Sequence, residues 1–448
     1  MNHSVKIINR TVECENEDPY KLREDMCIIA GKAAGICYMD DNYLSEGIMD
    51  TEKALKRANM TAKSGHYSTY EHGHISFLIE TSKIMAMVLN SLNLYSTSEK
   101  SGRYTTFTGE SELEISMYNK WKSKFTRLID ICYSGRYTEK EVEKLSIENA
   151  RYMISVFSPT VLEYTVPYNR AVLTVEWLRN LASSLDYLIK NEKEADHGNS
   201  VYKKYDYFYN KLSTQCRELS YSLASSLGVS EEDPLLTDHK NMGIELLRTP
   251  IYISKLYNIY NDSLENAYDK SKKTEVYGDV YTSNYKASLA IFAQEQRHRT
   301  LHYTMDLPKE LDVYVPKILR QTAFKVEWRK DYETLINSGI IPQGTLVDVT
   351  EEGRFEDFYL KCKERLCSRA QLEIVEITRN QVVKFANEYD NLCEMNKGII
   401  DSMIRTSNIL DYKNSDTIIV EPRCRFFDYI CREPCKMHKN NINYFRII

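Results

Sequence analysis

The clearest chemical signal in this sequence is a short basic run in the C-terminal half, Gln294-Glu295-Gln296-Arg297-His298-Arg299. Residues three and four apart share a face of a helix, so a helix here is predicted to project Gln294, Arg297 and His298 together. Arg299 would lie ~200° around the axis from Arg297, because each residue turns the helix by about 100°. The two arginines therefore suit two different anions, or one anion and the edge of a flat ring. Taken alone, the run is also typical of a solvated helix end.

A second polar group surrounds Gly102 in the N-terminal half and comprises Ser96, Glu99, Ser101 and Arg103. Backbone N–H groups, hydroxyls and a guanidinium together suit a phosphate. Just before a predicted strand, His66, Ser68 and Glu71 could hold a ring and its ribose. Each of these stretches, taken alone, is more typical of a polar surface loop.

The elements that must position these residues are predicted from the spacing of apolar residues. Helices are predicted over 51–64, 82–92, 141–157 and 288–299, and a strand over 74–80. In each half, a helix that starts at a serine, Ser82 or Ser288, leads toward one polar group. A proline-bounded extended piece and another long helix follow later in each half. This shared order predicts an internal duplication.

Considered together, the two polar groups resemble the site of the flavin-dependent thymidylate synthases. That family carries the motif R-H-R-x-x-S-x-N-E-x-S-x-R-Y, with H-x-S-x-x-E-H before it. The N-terminal half matches the outer parts of this pattern in register, at His66, Ser68, Glu71, His72, Ser96, Glu99, Ser101, Arg103 and Tyr104. Ser91-Leu92-Asn93 stands where R-H-R is expected, and Ser98 replaces the asparagine.

The C-terminal half keeps the complementary part of the motif. Arg297-His298-Arg299 is intact, whereas the later S, N, E and S are replaced by His302, Thr304, Met305 and Leu307. Other pieces of the chain also resemble the family, namely Ala150-Arg151, Asn169, Arg365 and Ala370-Gln371-Leu372-Glu373-Ile374. The resemblance therefore implies two copies that have divided the residues of one site.

The same resemblance implies an α+β fold with two tandem thymidylate synthase-like domains, each a small antiparallel sheet packed with long helices. The halves would span 1–235 and 242–415, and a Cys-rich tail would follow over 416–448. Sites in this family are assembled across the subunits of a homotetramer. A homodimer of tandem chains, a pseudo-tetramer, is therefore expected here.

The resemblance also implies a role for each matched residue. Deoxyuridine monophosphate (dUMP) would be held by Glu99, Ser101, Arg103, Arg151, Gln294, Arg297 and Arg365. FAD would contact His66, Ser68, Glu71, Asn169, His298 and Arg299. Arg365, Arg297 and Ser101 would act on the reacting ring, where Arg365 would stabilise developing negative charge.

The implied reaction is the reductive methylation of dUMP to dTMP. Methylenetetrahydrofolate would donate the one-carbon unit, and NADPH would reduce FAD. Two alternatives stay open. The first is a flavin-dependent enzyme acting on another pyrimidine nucleotide, which the serine at position 98 would allow. The second is a non-catalytic nucleotide-binding paralogue.

Composition narrows the class of protein further. A formal net charge of −5 disfavours a nucleic-acid partner. The N-terminal residues lack a signal peptide's apolar core, and no apolar run is long enough for a membrane span. Eleven cysteines in a chain of 448 residues indicate reduced thiols of a cytosolic protein. In the tail, soft ligands that could bind a structural zinc ion are Cys424, Cys431, Cys435 and His438.

Overall fold

The computed structural model describes most of the chain. The described residues are 3–11, 18–36, 50–92, 95–103, 109, 111–195, 200–230, 235, 251–252, 280–308, 310–392, 394–406, 418–432 and 448.

Helices and strands are named here in chain order. The helices are α1 (Pro19–Ile36), α2 (Thr51–Lys63), α3 (Lys83–Leu89), α4 (Glu112–Cys132), α5 (Glu139–Ala150), α6 (Tyr168–Ala195), α7 (Ser200–Leu227), α8 (Leu289–Glu295), α9 (Phe324–Asn337), α10 (Phe355–Arg365), α11 (Leu372–Asn387) and α12 (Glu394–Met403). The strands are β1 (Ser4–Arg10), β2 (His74–Ser82), β3 (Ser96–Glu99), β4 (Pro159–Pro167), β5 (Ile251–Tyr252), β6 (Val280–Ser288), β7 (His302–Asp306), β8 (Leu346–Arg354), β9 (Ile404–Thr406) and β10 (Ile418–Val420). Single 3₁₀ turns cover Tyr67–Glu71 and Arg151–Met153, among others.

The chain folds into two compact units that are not continuous in sequence. Unit 1 comprises 1–101, 108–110 and 156–249, and unit 2 comprises 102–107, 111–155 and 250–448. The predicted sequence halves, 1–235 and 242–415, differ from these units because 102–107 and 111–155 belong to unit 2. The limits of the halves and of the tail therefore stay predictions about the duplication.

Unit 1 is built on a four-stranded antiparallel sheet in the order β1-β2-β4-β3. The central pair β2 and β4 is matched over nine residues, from His74 opposite Pro167 to Ser82 opposite Pro159. The long helices α6 and α7 pack against each other, and α1 packs against α2. Helix α2 starts where the side chain of Asp50 accepts from the backbone of Lys53.

Unit 2 contains a second four-stranded sheet, in the order β5-β7-β8-β6. Its hydrophobic core includes the aromatic side chains of Tyr281, Phe355, Phe358 and Phe385. Helix α4 packs against α9 through Trp121 and Trp328, whose rings meet edge to face at 4.7 Å. Trp121 Nε1 also donates to Asp331 at 2.8 Å. These contacts hold the 111–155 segment on the C-terminal part of the chain.

The two sheets share one order of elements. In each, a nine-residue strand (β2 or β6) ends at a serine that caps a seven-residue helix (α3 or α8). A shorter strand follows (β3 or β7), and then a nine-residue strand (β4 or β8) inserts between the two. A long helix comes next in both. The predicted serine-started helices and the α+β class are confirmed, and the shared order supports the duplication.

Four expectations about elements were wrong in detail. The helix predicted over 82–92 ends at Leu89. The helix predicted over 141–157 ends at Ala150, because a 3₁₀ turn and strand β4 follow. The helix predicted over 288–299 ends at Glu295. The second sheet is not wholly antiparallel, since β5 runs parallel to β7. Among the described residues, no helix combines the length and apolar character needed to cross a membrane.

Candidate active site

The basic run lies on a turn, not on the helix that was predicted. Gln296 still bonds to the carbonyl of Phe292, but Arg297 N reaches Gln294 O at 3.3 Å and His298 N reaches Glu295 O at 2.9 Å. These hydrogen bonds span three residues instead of four, so the chain forms a tight turn between α8 and β7. The argument that Gln294, Arg297 and His298 share one helix face is therefore wrong. Residues 296–299 form a turn, the 296–299 turn.

Within the 296–299 turn, the three basic side chains differ in exposure. His298 is buried, Arg297 is half-buried and Arg299 is exposed. His298 Nε2 accepts from Arg365 Nε at 2.7 Å. Burial, followed by the nearby Arg365 and Lys361, holds the pKa of His298 well below its ordinary value. His298 is therefore neutral at neutral pH, with its proton on Nδ1.

Arg103, from the N-terminal half of the sequence, reaches this part of unit 2. Its Nε donates to Glu148 on α5 at 2.5 Å, and a terminal nitrogen donates to the carbonyl of Arg369 at 2.5 Å. The Glu148 side chain is buried, so this ion pair fixes the Arg103 guanidinium. A residue of the S-x-S-E-x-S-x-R-Y element thus meets the loop that follows α10.

Arg151 and Gln294 converge on one acceptor, the side chain of Gln371. Arg151 donates to Gln371 Oε1 at 2.5 Å, and Gln294 Nε2 donates to the same oxygen at 2.8 Å. The Nε of the buried Arg151 has no hydrogen-bond partner among the described residues. A buried donor of this kind costs free energy unless something accepts from it. Among the described residues, Arg151 therefore keeps one buried donor for a further acceptor.

Arg365 completes the group from the end of α10. Besides its bond to His298, it donates to the carbonyl of Gln294 at 3.2 Å. Burial is the largest cause that lowers the pKa of Arg365, and the charge of Arg103 lowers it further. Burial lowers the pKa of Arg151 too, with Tyr152 and Glu148 opposing and Arg103 adding to the effect. Arg103 thus repels both other guanidinium groups, and the arginine cluster (Arg103, Arg151 and Arg365) suits an anion.

A buried acid, Glu373, is connected to the arginine cluster by a chain of hydrogen bonds. Tyr152 receives a hydrogen bond from Gln371 and donates to Glu373 at 2.7 Å. Glu373 also accepts from the backbone N and the hydroxyl of Ser288, the residue that caps α8. The chain Gln371–Tyr152–Glu373–Ser288 therefore ties Arg151 to the start of the helix that carries Gln294.

Sequence reasoning gave no role to Gln371, Tyr152, Glu148 or Glu373. Gln371 and Glu373 lie in Ala370-Gln371-Leu372-Glu373-Ile374, a stretch that resembles the family's A-Q-x-E-I pattern. Its glutamine and glutamate alternate with apolar residues, and that pattern indicates buried polar groups with partners. Tyr152 follows Arg151 directly in the chain. Glu148 has no sequence signal of its own.

The remaining predicted substrate residues, Glu99 and Ser101, belong to unit 1. Glu99 accepts from Lys83 Nζ at 2.6 Å and from Thr160 Oγ1 at 3.0 Å. Lys83 also donates to the carbonyl of Lys100 at 2.8 Å. Ser101 is half-buried at the end of this polar group.

The predicted flavin residues of unit 1 gather around the 3₁₀ turn Tyr67–Glu71. His66 and Ser68 are exposed, and Glu71 pairs with Arg170 at 3.1 Å. Asn169 is 4% exposed and donates to Tyr67 O at 3.3 Å. Its side-chain oxygen is buried and accepts no hydrogen bond from any described residue. This part of unit 1 therefore offers an unused acceptor beside exposed polar side chains.

The predicted zinc ligands are only partly described. Cys424 and Cys431 are half-buried, while Cys435 and His438 lie outside the described residues. Among the residues that the structure describes, no three His, Cys, Asp or Glu side chains are grouped to hold a metal ion. Zinc binding by the tail stays a prediction.

A family comparison links this geometry to known proteins. The family model described as thymidylate synthase complementing protein matches residues 24–170, about a third of the chain. Residues 24–170 belong to this family. This thymidylate synthase complementing segment contains His66, Ser68, Glu71, Glu99, Ser101, Arg103, Arg151 and Asn169. The expected family is therefore confirmed, while the R-H-R run and Arg365 lie beyond the matched segment.

Comparison with solved structures gives distant likenesses, and no curated protein matches the chain. A flavin-dependent thymidylate synthase ThyX from Helicobacter pylori, complexed with FAD and dUMP, is 14% identical, covering 53% of this chain and 98% of its own, with a TM-score of 0.27. A second structure of ThyX from Helicobacter pylori with FAD and dUMP is 16% identical, covering 52% and 99%, with a TM-score of 0.24. The UMP/dUMP methylase PolB from Streptomyces cacaoi, bound with 5-Br dUMP, is 14% identical, covering 38% and 75%, with a TM-score of 0.24.

Proposed function

We propose that this chain is a flavin-dependent thymidylate synthase that converts dUMP to dTMP. The observation that carries the proposal is the arginine cluster, which brings Arg103 and Arg151 of the family-matched segment together with Arg365. Because the charge of Arg103 repels the guanidinium groups of both Arg151 and Arg365, a bound anion would stabilise the cluster, and a nucleotide phosphate supplies one.

In this proposal each substrate residue has a distinct task. Arg103 and Arg151 bind the phosphate of dUMP, with Gln294 and Arg297 closing over it. Arg365 stabilises the negative charge that develops on the pyrimidine, because a guanidinium fixed by His298 needs no reorganisation during the reaction. Glu99 and Ser101 hold the nucleotide, and Ser101 acts beside the reacting ring.

The residues proposed for FAD fit a polar ring system. Asn169 offers its unused buried oxygen to a donor on the flavin, and His66, Ser68 and Glu71 offer hydrogen-bonding groups. The neutral His298 and the exposed Arg299 contribute from the 296–299 turn. Bound FAD would supply the hydride, with NADPH as its reductant and methylenetetrahydrofolate as the carbon donor.

Three further parts of the proposal concern the whole protein. We expect a homodimer of chains, acting in the cytosol on a free nucleotide. We also expect Cys424, Cys431, Cys435 and His438 to bind one zinc ion that pins the tail. Size-exclusion chromatography with light scattering tests the homodimer, and metal analysis of dialysed protein tests the zinc site.

The test of the proposed function is the visible spectrum of the purified protein, followed by turnover. Yellow protein that converts dUMP to dTMP with methylenetetrahydrofolate and NADPH supports the proposal. Arg103→Ala and Arg297→Ala should each weaken dUMP binding more than tenfold. Protein that neither contains nor takes up FAD would overturn the proposal. If the FAD-bound protein methylates only a different pyrimidine nucleotide, that nucleotide replaces dUMP as the proposed substrate.

A further inference from the structure

Beneath the 296–299 turn lies a fully buried ionic group centred on Lys361. Its Nζ donates to Glu351 at 2.5 Å, to Gln381 at 3.2 Å and to Glu295 at 3.5 Å. Lys361 and both carboxylate side chains are 0% exposed. Burying a charged group costs free energy unless partners satisfy it, so each partner in this group is informative.

Lys361 is already neutralised without Glu295. The carboxylate of Glu351 receives hydrogen bonds from Tyr281 at 2.5 Å and Tyr285 at 2.7 Å in addition to its ion pair. Glu295 therefore adds a second buried carboxylate to a group whose charges are balanced. For stability alone an apolar side chain at this position would cost less. What Glu295 adds is a link from α10 to the last residue of α8.

The two ends of this link are one turn away from the proposed nucleotide site. Lys361 and Arg365 are four residues apart on α10 and lie on the same face. Glu295 and His298 are three residues apart at the end of α8. Lys361 meets Glu295, the last residue of α8. Arg365 meets His298 of the 296–299 turn and the carbonyl of Gln294, so one fully buried contact and two contacts at the site join α10 to the end of α8 and to this turn. The buried contact sets the register of the other two.

We propose that Lys361 and Glu295 are positioning residues for the nucleotide site. Their buried ion pair fixes the end of α8 against α10 and so aligns Arg365 with His298 and the 296–299 turn. The identity of the ligand rests on the proposed function, whereas the alignment does not. A helix of seven residues makes few hydrogen bonds of its own, so α8 depends on such outside contacts.

Three variants separate positioning from general support of the core. Glu295→Leu removes the link to α8 but leaves Lys361 paired with Glu351, so the buried charges stay balanced. Glu295→Gln keeps an acceptor for Lys361 and resembles the protonated acid, which is relevant because burial raises the pKa of Glu295 to about 7. Gln381→Leu is the matched control. It removes another hydrogen bond of Lys361, and Gln381 lies on α11 and not on α8.

The experiment measures two quantities on the full chain with FAD. Hydrogen exchange followed by mass spectrometry reports the protection of residues 296–301, and calorimetry reports the Kd for dUMP. Glu295→Leu should speed exchange in this segment about tenfold and raise Kd about tenfold. Glu295→Gln should restore both to within about threefold of the wild type, and Gln381→Leu should leave both unchanged.

The outcomes are separable from failure of the proposed function. If the wild type does not bind dUMP, the nucleotide assignment fails, and the exchange data still decide the alignment. If Glu295→Leu and Gln381→Leu raise Kd and exchange equally, or if Glu295→Leu changes neither, the positioning proposal is overturned.

Discussion

Arg151 donates a hydrogen bond to Gln371 at 2.5 Å, although 220 positions separate the two residues in the sequence. The bond joins a residue of the family-matched segment to the A-Q-x-E-I stretch of the C-terminal half. Both residues belong to unit 2, as do Arg103 and Arg365. The arginine cluster is therefore assembled within one compact unit of one chain.

Replacing Gln371 by leucine should weaken dUMP binding at least tenfold. The change removes the acceptor shared by Arg151 and Gln294, so the buried guanidinium loses its orientation. Calorimetric titration measures the effect. Gln381→Leu, another buried glutamine of unit 2, serves as the control and should bind normally. Equal affinities for all three proteins would mean that Gln371 does not orient Arg151.

Replacing Arg103 by alanine should affect the phosphate and spare the base. Loss of a charge-assisted contact costs on the order of 2 kcal/mol, or more than tenfold in Kd. Competition titrations with dUMP and with deoxyuridine, which lacks the phosphate, give the comparison. We expect dUMP to weaken strongly and deoxyuridine to change little. A parallel loss for both ligands would indicate that Arg103 does not bind the phosphate.

Stability should fall as pH rises through neutrality because of Glu373. Burial raises the pKa of this carboxyl from the ordinary value of 4.5 to about 7. A carboxyl whose pKa is higher in the folded state than in the unfolded state stabilises the fold. This stabilisation is complete at pH values below the unfolded-state pKa and is lost as pH rises through the folded-state pKa. Between pH 6 and pH 8 the wild type should lose about 1 kcal/mol more than Glu373→Gln, which cannot ionise.

Urea unfolding at both pH values measures this difference. Glu373→Gln retains a group that can bond to Ser288 and Tyr152, so the comparison isolates the charge. Identical pH dependence in the two proteins would show that Glu373 is not protonated in the folded state near pH 6.

Packing of α1 on α2 requires a glycine at position 31. A Cβ atom there would lie 1.8 Å from the carbonyl oxygen of Ala54. Gly31→Ala should therefore destabilise the protein by about 2–3 kcal/mol and lower its Tm in a thermal melt. Gly398→Ala in α12 is the control, because a Cβ there meets nothing within 4 Å. It should stabilise slightly, by about 0.5 kcal/mol, and a similar loss in both variants would refute the packing argument.

Much of the fold could be predicted from local patterns. Helix α2 was predicted correctly because Gly65, at φ 73°, ends an amphipathic run. The helices that start at Ser82 and Ser288 were predicted from the spacing of their apolar residues. The early end of α8 could not be predicted, since the hydrogen bonds that stop it depend on β7 starting at His302. Helical periodicity alone continues through the basic run.

The resemblance predicted which residues would share one ligand, but not how the chain packs to bring them together. Motif spacing identified Arg103, Arg151, Gln294 and Arg365, but no local pattern shows that 102–107 and 111–155 pack with the C-terminal part of the chain. That arrangement depends on tertiary contacts such as Trp121 with Trp328. The role of Gln371 as a shared acceptor could not be predicted, because it depends on Arg151 and Gln294 meeting at its side chain.

The central claim is that each arginine cluster forms within one chain, and subunit mixing tests it most directly. Arg103→Ala and Arg365→Ala chains, carrying different tags, are co-expressed and the mixed species is isolated. If Arg103 and Arg365 act within one chain, every cluster in the mixture lacks one arginine and dUMP binding stays as weak as in either variant alone. If instead the cluster forms between chains, each mixed dimer has one site with both arginines, and recovery of dUMP binding in the mixture would contradict the account.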